Sequence, residues 1–273
     1  MKPSLKELRA RKGGERLALV TAYDAPGARQ AELAGIDAVL VGDSLGMVVL
    51  GYSSTTQVTL AEMLHHLRAV CRGAQDTFVI ADVPFGYLQR GKRALASACV
   101  ELIQAGADAV KIEGGLEAAA AVRWLVERGV PVVGHLGLTP QTATALGGYH
   151  AQGRDLASAR RIFEAALALD AAGAFALVLE AVPATLAARI RQRCQALTIG
   201  IGAGADCDGQ ILVYHDLLGI FDRFTPKFVR RYAELGEEAV AALRRYREEV
   251  RGGGFPTPAH SFSAPPSLLD ELE

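Results

Sequence analysis

Residues 109–115 read AVKIEGG, an apolar run that ends on a glycine pair. It predicts a short buried strand, with Lys111 and Glu113 leaving on the same face because strand side chains alternate. Opposite charges on one side of a buried strand need a reason, and the neighbouring sequence supplies one. Runs of the same form recur at LALVTAY (17–23), AVLVGDS (38–44), FVIADVP (78–84), PVVGHLG (131–137), ALVLEAV (176–182), LTIGIGAG (197–204) and ILVYHDLLG (211–219). Between them lie amphipathic stretches such as TLAEMLHHLRAVCRG and LASARRIFEAALALDAAG. Gly35, Gly106, Gly129 and Gly173 stand at helix C-cap positions. Apolar strands alternating with helices specify a parallel sheet covered by those helices. Eight such runs between residues 17 and 219 match the count and span of a (β/α)8 TIM barrel, of class α/β, with a doubly wound open sheet as the rival.

No linker interrupts residues 1–262, so they are expected to form a single barrel domain. A short helix leads it, with Ser4 and Glu7 at capping-box spacing. The Gly-, Pro- and Ser-rich end, residues 263–273, is expected to be a flexible C-terminal tail. The longest connection, residues 138–155, is long enough to be a functional loop.

The chain has 273 residues, a net charge of −1, 50% hydrophobic residues and 22% charged ones. That balance suits a globular protein with a large core. With no basic stripe or tail, it argues against nucleic acid or an anionic membrane as partner. Cys71, Cys99, Cys194 and Cys207 show neither CxxC nor zinc spacing and read as reduced, buried small hydrophobes. No apolar leader opens the chain, and no run approaches the roughly 18 apolar residues of a membrane helix. A cytoplasmic location is expected.

The runs gain ionisable groups near their C-terminal ends. By alternation Val39 and Val41 share a face with Asp43, and Phe78 and Ile80 share one with Asp82; Ala109 leads to Lys111 and Glu113, Pro131 and Val133 to His135, and Ala176 and Val178 to Glu180. In a barrel that rim carries the chemistry. Singly, each residue could be a helix cap, an ion pair or a satisfied core histidine. Together they concentrate charge at low dielectric, which costs several kcal/mol per ion unless the groups are paired or metal-bound. Four carboxylates and one lysine suggest a hard divalent cation such as Mg2+, with Asp43 and Asp82 as direct ligands and Glu113 beside them or acting through water. Zinc is disfavoured by a single histidine and no cysteine in the ring. Lys111 would then face a substrate anion. A cation chelating a 2-oxo acid would acidify the adjacent C–H, and Glu180, across the ring, would be the base.

The motifs LVGDSLGMVVLG (40–51), ADVPFG (81–86), VKIEGG (110–115), GHLGLTPQ (134–141), VLEAVP (178–183) and IGIGAG (199–204) occur in that order. With them the chain closely resembles the ketopantoate hydroxymethyltransferase family over residues 3–262. The resemblance implies a barrel of the phosphoenolpyruvate/pyruvate class. It implies transfer of a one-carbon unit from 5,10-methylenetetrahydrofolate to 3-methyl-2-oxobutanoate, giving 2-dehydropantoate in pantothenate biosynthesis. It further implies Mg2+ on Asp43 and Asp82 beside Glu113, substrate against Asp43, Ser44, Asp82 and Lys111, Glu180 as proton acceptor, His135 lining the site, and a homodecamer. His150 stands where the family pattern has lysine, and FGYLQR (85–90) differs from its commoner form; both bear on folate-side contacts.

GIGAGA (200–205) fits a dinucleotide-binding pattern, but the next strand begins too soon for the required helix. DCDG (206–209) opens like a calcium loop without the downstream glutamate. Tyr23, Asp24, His215 and Asp216 are expected to be structural. Two other function classes remain open: a Schiff-base aldolase with Lys111 as nucleophile, which needs a neutral lysine, and a non-catalytic barrel.

Overall fold

Ser4 caps the first helix, α1 (Leu5–Ala10), in the expected reciprocal pair with Glu7. The computed structural model describes residues 2–265. Parallel strands follow: β1 (Leu17–Thr21), β2 (Ala38–Val41), β3 (Phe78–Asp82), β4 (Ala109–Glu113), β5 (Val132–Gly137), β6 (Ala176–Glu180), β7 (Leu197–Ile201) and β8 (Gly209–Leu212). Each pairs with the next, and β8 returns to β1 with Leu17 opposite Gly209, so the sheet closes into a (β/α)8 barrel. The helices are α2 (Ala25–Leu33), α3 (Leu45–Val48), α4 (Leu60–Gly73), α5 (Lys92–Gln104), α6 (Leu116–Val126), α7 (Leu156–Ala171) and α8 (Ala184–Arg193), then α9 (Tyr214–Leu217) and α10 (Leu235–Arg251) beyond β8. The expected tail at 263–273 falls, from residue 266 onward, outside the described residues.

Two apolar shells hold the barrel. Ala38, Leu40, Phe78, Ile80, Val133 and Val178 pack inside it, while Val39, Val41, Val79, Val110 and Leu177 pack between strands and helices. Leu8 of α1 joins the inner shell. A fully buried aliphatic side chain contributes about 1.5–3 kcal/mol, so both shells matter.

Two expectations need correction. Val39 and Val41 do not share the inward face with Asp43; Leu40 faces inward, and the valines meet the helices. Asp43 reaches the mouth because alternation stops after Val41, at Gly42. A Cβ on Gly42 would come within 2.9 Å of the Ser44 hydroxyl and 3.5 Å of Asp82, so glycine leaves room there for both side chains. The eighth run is also misplaced. The strand is Gly209–Leu212, and the apolar residues after it belong to α9, where they satisfy helix rather than sheet. No helix separates β7 from β8 among the described residues, which removes the dinucleotide reading of 200–205.

Candidate active site

Strand register assembles the charges. Asp82 on β3 lies beside Lys111 on β4, Glu113 lies beside His135 on β5, and Gly137 lies beside Glu180 on β6. These residues stand at the C-terminal mouth, joined by Asp43 and Ser44 after β2. Asp43, Asp82, Lys111, Glu113 and His135 are all buried, and Glu180 keeps 15% of its side chain exposed. In strand order β6 lies across the barrel from β2 and β3, so Glu180 faces Asp43 and Asp82 over the mouth.

A continuous network links them. Lys111 Nζ lies 2.8 Å from Asp82 Oδ1, 3.5 Å from Glu113 Oε1 and 3.0 Å from His135 Nδ1. Asp82 Oδ2 accepts from the Asp43 backbone N–H at 3.0 Å. His135 Nδ1 lies 3.1 Å from Glu113 Oε1, and its Nε2 lies 3.2 Å from Glu180 Oε2. Burial and Lys111 both favour the neutral ring, but Glu113 and Glu180 outweigh them and hold the His135 pKa up at about 9. Nδ1 is shared between Glu113 and Lys111, and Nε2 lies close to Glu180 without a well-angled hydrogen bond. Burial opposes the Lys111 charge too, yet Asp82, Glu113 and Asp43 overcome it and keep the ammonium protonated. Burial, then Asp82 and Glu113, push the Asp43 carboxyl well above its ordinary range. Asp82 is also raised, mainly by burial, with Lys111 opposing. Glu113 is lowered, because His135 and Lys111 outweigh its burial.

The donor set fits a hard cation. Asp82 Oδ1, though near Lys111, forms no well-angled hydrogen bond among the described residues, and Asp43 Oδ1 forms none either. Two adjacent buried carboxylates, Asp43 with an unbonded Oδ1 and Asp82 with an Oδ1 that faces only Lys111, suit Mg2+ when water and substrate fill its other positions. Glu113 is committed elsewhere: Oε1 faces His135 and Lys111, and Oε2 accepts from the Gln141 backbone at 3.0 Å. Among the described residues no three acidic, histidine or cysteine side chains converge as a metal cage.

Gln141 escaped the sequence reading. It sits in the 3-10 turn Pro140–Thr142 within the long 138–155 connection, and its Nε2 donates to Asp43 Oδ2 at 2.8 Å and to the Val83 carbonyl at 2.9 Å. The sequence offered only a glutamine after Pro140, six residues past His135, which does not by itself mark a site residue. Tyr23, expected to be structural, is buried with its hydroxyl 2.8 Å from Ser44 Oγ. Ala181, just after Glu180, holds a left-handed φ of 49°, a conformation costly for a non-glycine residue. The mouth opens into a cleft of about 920 Å3, lined by these charges and by Tyr149, Phe221, Phe224 and Phe228.

The sequence matches the family described as ketopantoate hydroxymethyltransferase over residues 2–258. The chain belongs to the ketopantoate hydroxymethyltransferase family. A 3-methyl-2-oxobutanoate hydroxymethyltransferase of Moorella thermoacetica is 56% identical over 261 residues, covering 95% of this chain and 96% of the relative. One from Thermus thermophilus is 55% identical over 262 residues, covering 96% of this chain and all of the relative, 100%. Among solved structures, phosphoenolpyruvate phosphomutase from Streptomyces platensis subsp. rosaceus matches with a TM-score of 0.61 at 18% identity, covering 99% of this chain and 95% of that one. A phosphonopyruvate hydrolase complexed with oxalate and Mg2+ matches at 0.63 and 15% identity, covering 100% and 95%. At these identities the structures speak for the barrel alone.

Proposed function

We propose that this ketopantoate hydroxymethyltransferase family member transfers a one-carbon unit from 5,10-methylenetetrahydrofolate to 3-methyl-2-oxobutanoate, forming 2-dehydropantoate for pantothenate synthesis in the cytoplasm. The observation that carries the mechanism is the placement of Glu180, 3.2 Å from His135 Nε2, on the strand across the barrel from those of Asp43 and Asp82. Asp43 and Asp82 would hold Mg2+, with Glu113 behind them. When bound, the cation supplies positive charge that acidifies the C–H beside the keto group. Asp43, Ser44, Asp82 and Lys111 bind and orient the keto acid, the Lys111 ammonium meeting its negative charge. Glu180 takes the proton from C3, and the imidazolium of His135 holds that carboxylate in line. Water cleaves the two C–N bonds of the methylene bridge, releasing tetrahydrofolate and leaving the carbon at the formaldehyde level. The C3 carbanion adds to that carbon, and its water-derived oxygen takes up a proton to become the hydroxyl.

A Schiff base at Lys111 is disfavoured because its three carboxylate neighbours keep the amine protonated. No described helix is long and apolar enough to cross a membrane. A homodecamer belongs to the same proposal. It is supported by α10, in which no residue is buried and Val240, Leu243, Tyr246 and Val250 are exposed. Sedimentation tests it: a monomer would count against it.

Deuterium exchange at C3 of 3-methyl-2-oxobutanoate, with Mg2+ and no folate, tests the reaction. Exchange is expected, lost on chelation with EDTA and restored by Mg2+. No exchange in the presence of metal would overturn the proposal; full exchange after chelation would point instead to the lysine.

A further inference from the structure

The keto acid and a cation account for only one side of the cleft. Its 920 Å3 lies near the upper end of the range of about 300–1,000 Å3 for drug-sized ligands. Asp216 on α9 also lines the cleft and is only 8% exposed. Neither of its carboxylate oxygens has a hydrogen-bond partner among the described residues. The nearby Arg231 spends its two terminal nitrogens on Glu234, Thr225 and the Phe221 carbonyl, while its buried Nε has no partner among the described residues and makes no hydrogen bond to Asp216. Tyr23, also close, pairs its hydroxyl with Ser44 Oγ and makes no hydrogen bond to Asp216. Burial lifts the Asp216 pKa to about 6, with Arg231 opposing. A buried carboxylate facing a cleft without donors is costly unless a ligand brings them.

The surroundings specify that ligand. Phe221, Phe224 and Phe228 line the same part of the cleft, Phe221 and Phe224 meeting edge to face with ring centroids 5.3 Å apart. The Phe228 ring sits so close to Gly202 that a Cβ there would be 2.6 Å from it, so the glycine makes room for this wall. Aromatic walls suit a flat heterocycle. A carboxylate with two open oxygens suits paired parallel N–H donors. An anionic keto acid would be repelled by it.

We propose that Asp216 anchors the pterin ring of the folate co-substrate, one oxygen accepting from the 2-amino group and the other from N3–H. This rests on the hydroxymethyl-transfer reading above.

The test compares the wild type with Asp216→Asn, whose amide cannot accept both donors. Calorimetric titration with tetrahydrofolate is expected to give a Kd about tenfold or more higher in the variant, with KM for methylenetetrahydrofolate rising alongside. The folate-free C3 exchange should stay within about twofold. Tetrahydrofolate lacking the 2-amino group should bind the wild type about tenfold or more weakly, and bind wild type and variant alike. Unchanged folate affinity in the variant would overturn the assignment, as would loss of C3 exchange with folate affinity retained. Should the variant fail to fold, equal binding of the two folates by the wild type would overturn it on its own. Absence of exchange in the wild type would instead count against the underlying reaction.

Discussion

Asp43 and Asp82 lie side by side, the Asp43 backbone N–H bonded to Asp82; burial lifts both carboxyl pKa values, with repulsion from Asp82 and Glu113 adding to Asp43 and repulsion from Glu113 to Asp82. A carboxylate whose folded pKa is raised destabilises the fold as pH climbs past its unfolded value. The metal-free protein therefore carries this cost near neutrality. Asp43→Asn removes one charge but keeps an oxygen for Gln141. It is expected to stabilise the metal-free protein, because the buried charge that costs stability near neutrality is gone. Mg2+ should raise the melting temperature of the wild type, by about 2.7 kcal/mol of stability at about 100 times its Kd, but not that of the variant. Thermal unfolding with and without Mg2+ checks both, and a variant that melts below the wild type in EDTA contradicts the repulsion argument. Glu180→Gln should still bind Mg2+ and keto acid, yet lose C3 exchange by about 10²–10⁴-fold, the usual worth of a positioned base. Exchange at the wild-type rate would remove Glu180 from that role.

At the scale of elements, the legibility of the site tracked how regular the backbone is. On β3, β4, β5 and β6 alternation runs unbroken to the mouth, so Asp82, Lys111, Glu113, His135 and Glu180 could be placed from spacing alone. On β2 alternation breaks at Gly42, which put Val39 and Val41 on the wrong face while still delivering Asp43. The start of β8, Gly209 and Gln210, has no apolar signature, whereas the start of α9 does. Gln141 was unreadable because its partners, Asp43 and Val83, lie far away in sequence. The turn that carries it acts as a strut over the mouth. Gln141→Ala leaves the Val83 carbonyl and an Asp43 oxygen without their donor at a cost of about 1–3 kcal/mol. Because the strut orients Asp43, the Mg2+ concentration for half-maximal exchange should rise as well. A stability loss with an unaltered metal titration would reduce Gln141 to a packing role.

Across the whole molecule, the end of the barrel opposite the mouth is tied by another carboxylate, Asp208, in the DCDG stretch that was set aside as a calcium loop. Asp208 accepts from Lys12 Nζ and Arg191 Nε at 2.7 Å each, from Gly13 N at 3.1 Å, and from Thr198 N and Oγ1 at 2.9 Å. It therefore clamps the segment after α1, whose Leu8 joins the inner shell, to α8, β7 and the start of β8. Burial alone would raise its pKa, but these donors, Lys12 foremost, hold it far below the usual carboxylate range. The sign follows: a depressed carboxylate contributes stability above its unfolded pKa, about 3.9, and that contribution fades as pH falls toward the folded value. Asp208→Asn keeps the shape and removes the charge. It is expected to cost about 3 kcal/mol at pH 7, in line with breaking a buried ion pair. That deficit should narrow as the pH drops below about 4, where the wild type loses its own advantage. Urea unfolding of both proteins from neutral to acidic pH measures it, with C3 exchange per folded molecule expected to be unchanged because the clamp lies away from the mouth. A gap that stays constant across that range would mean that the bonds hold by shape and not by charge.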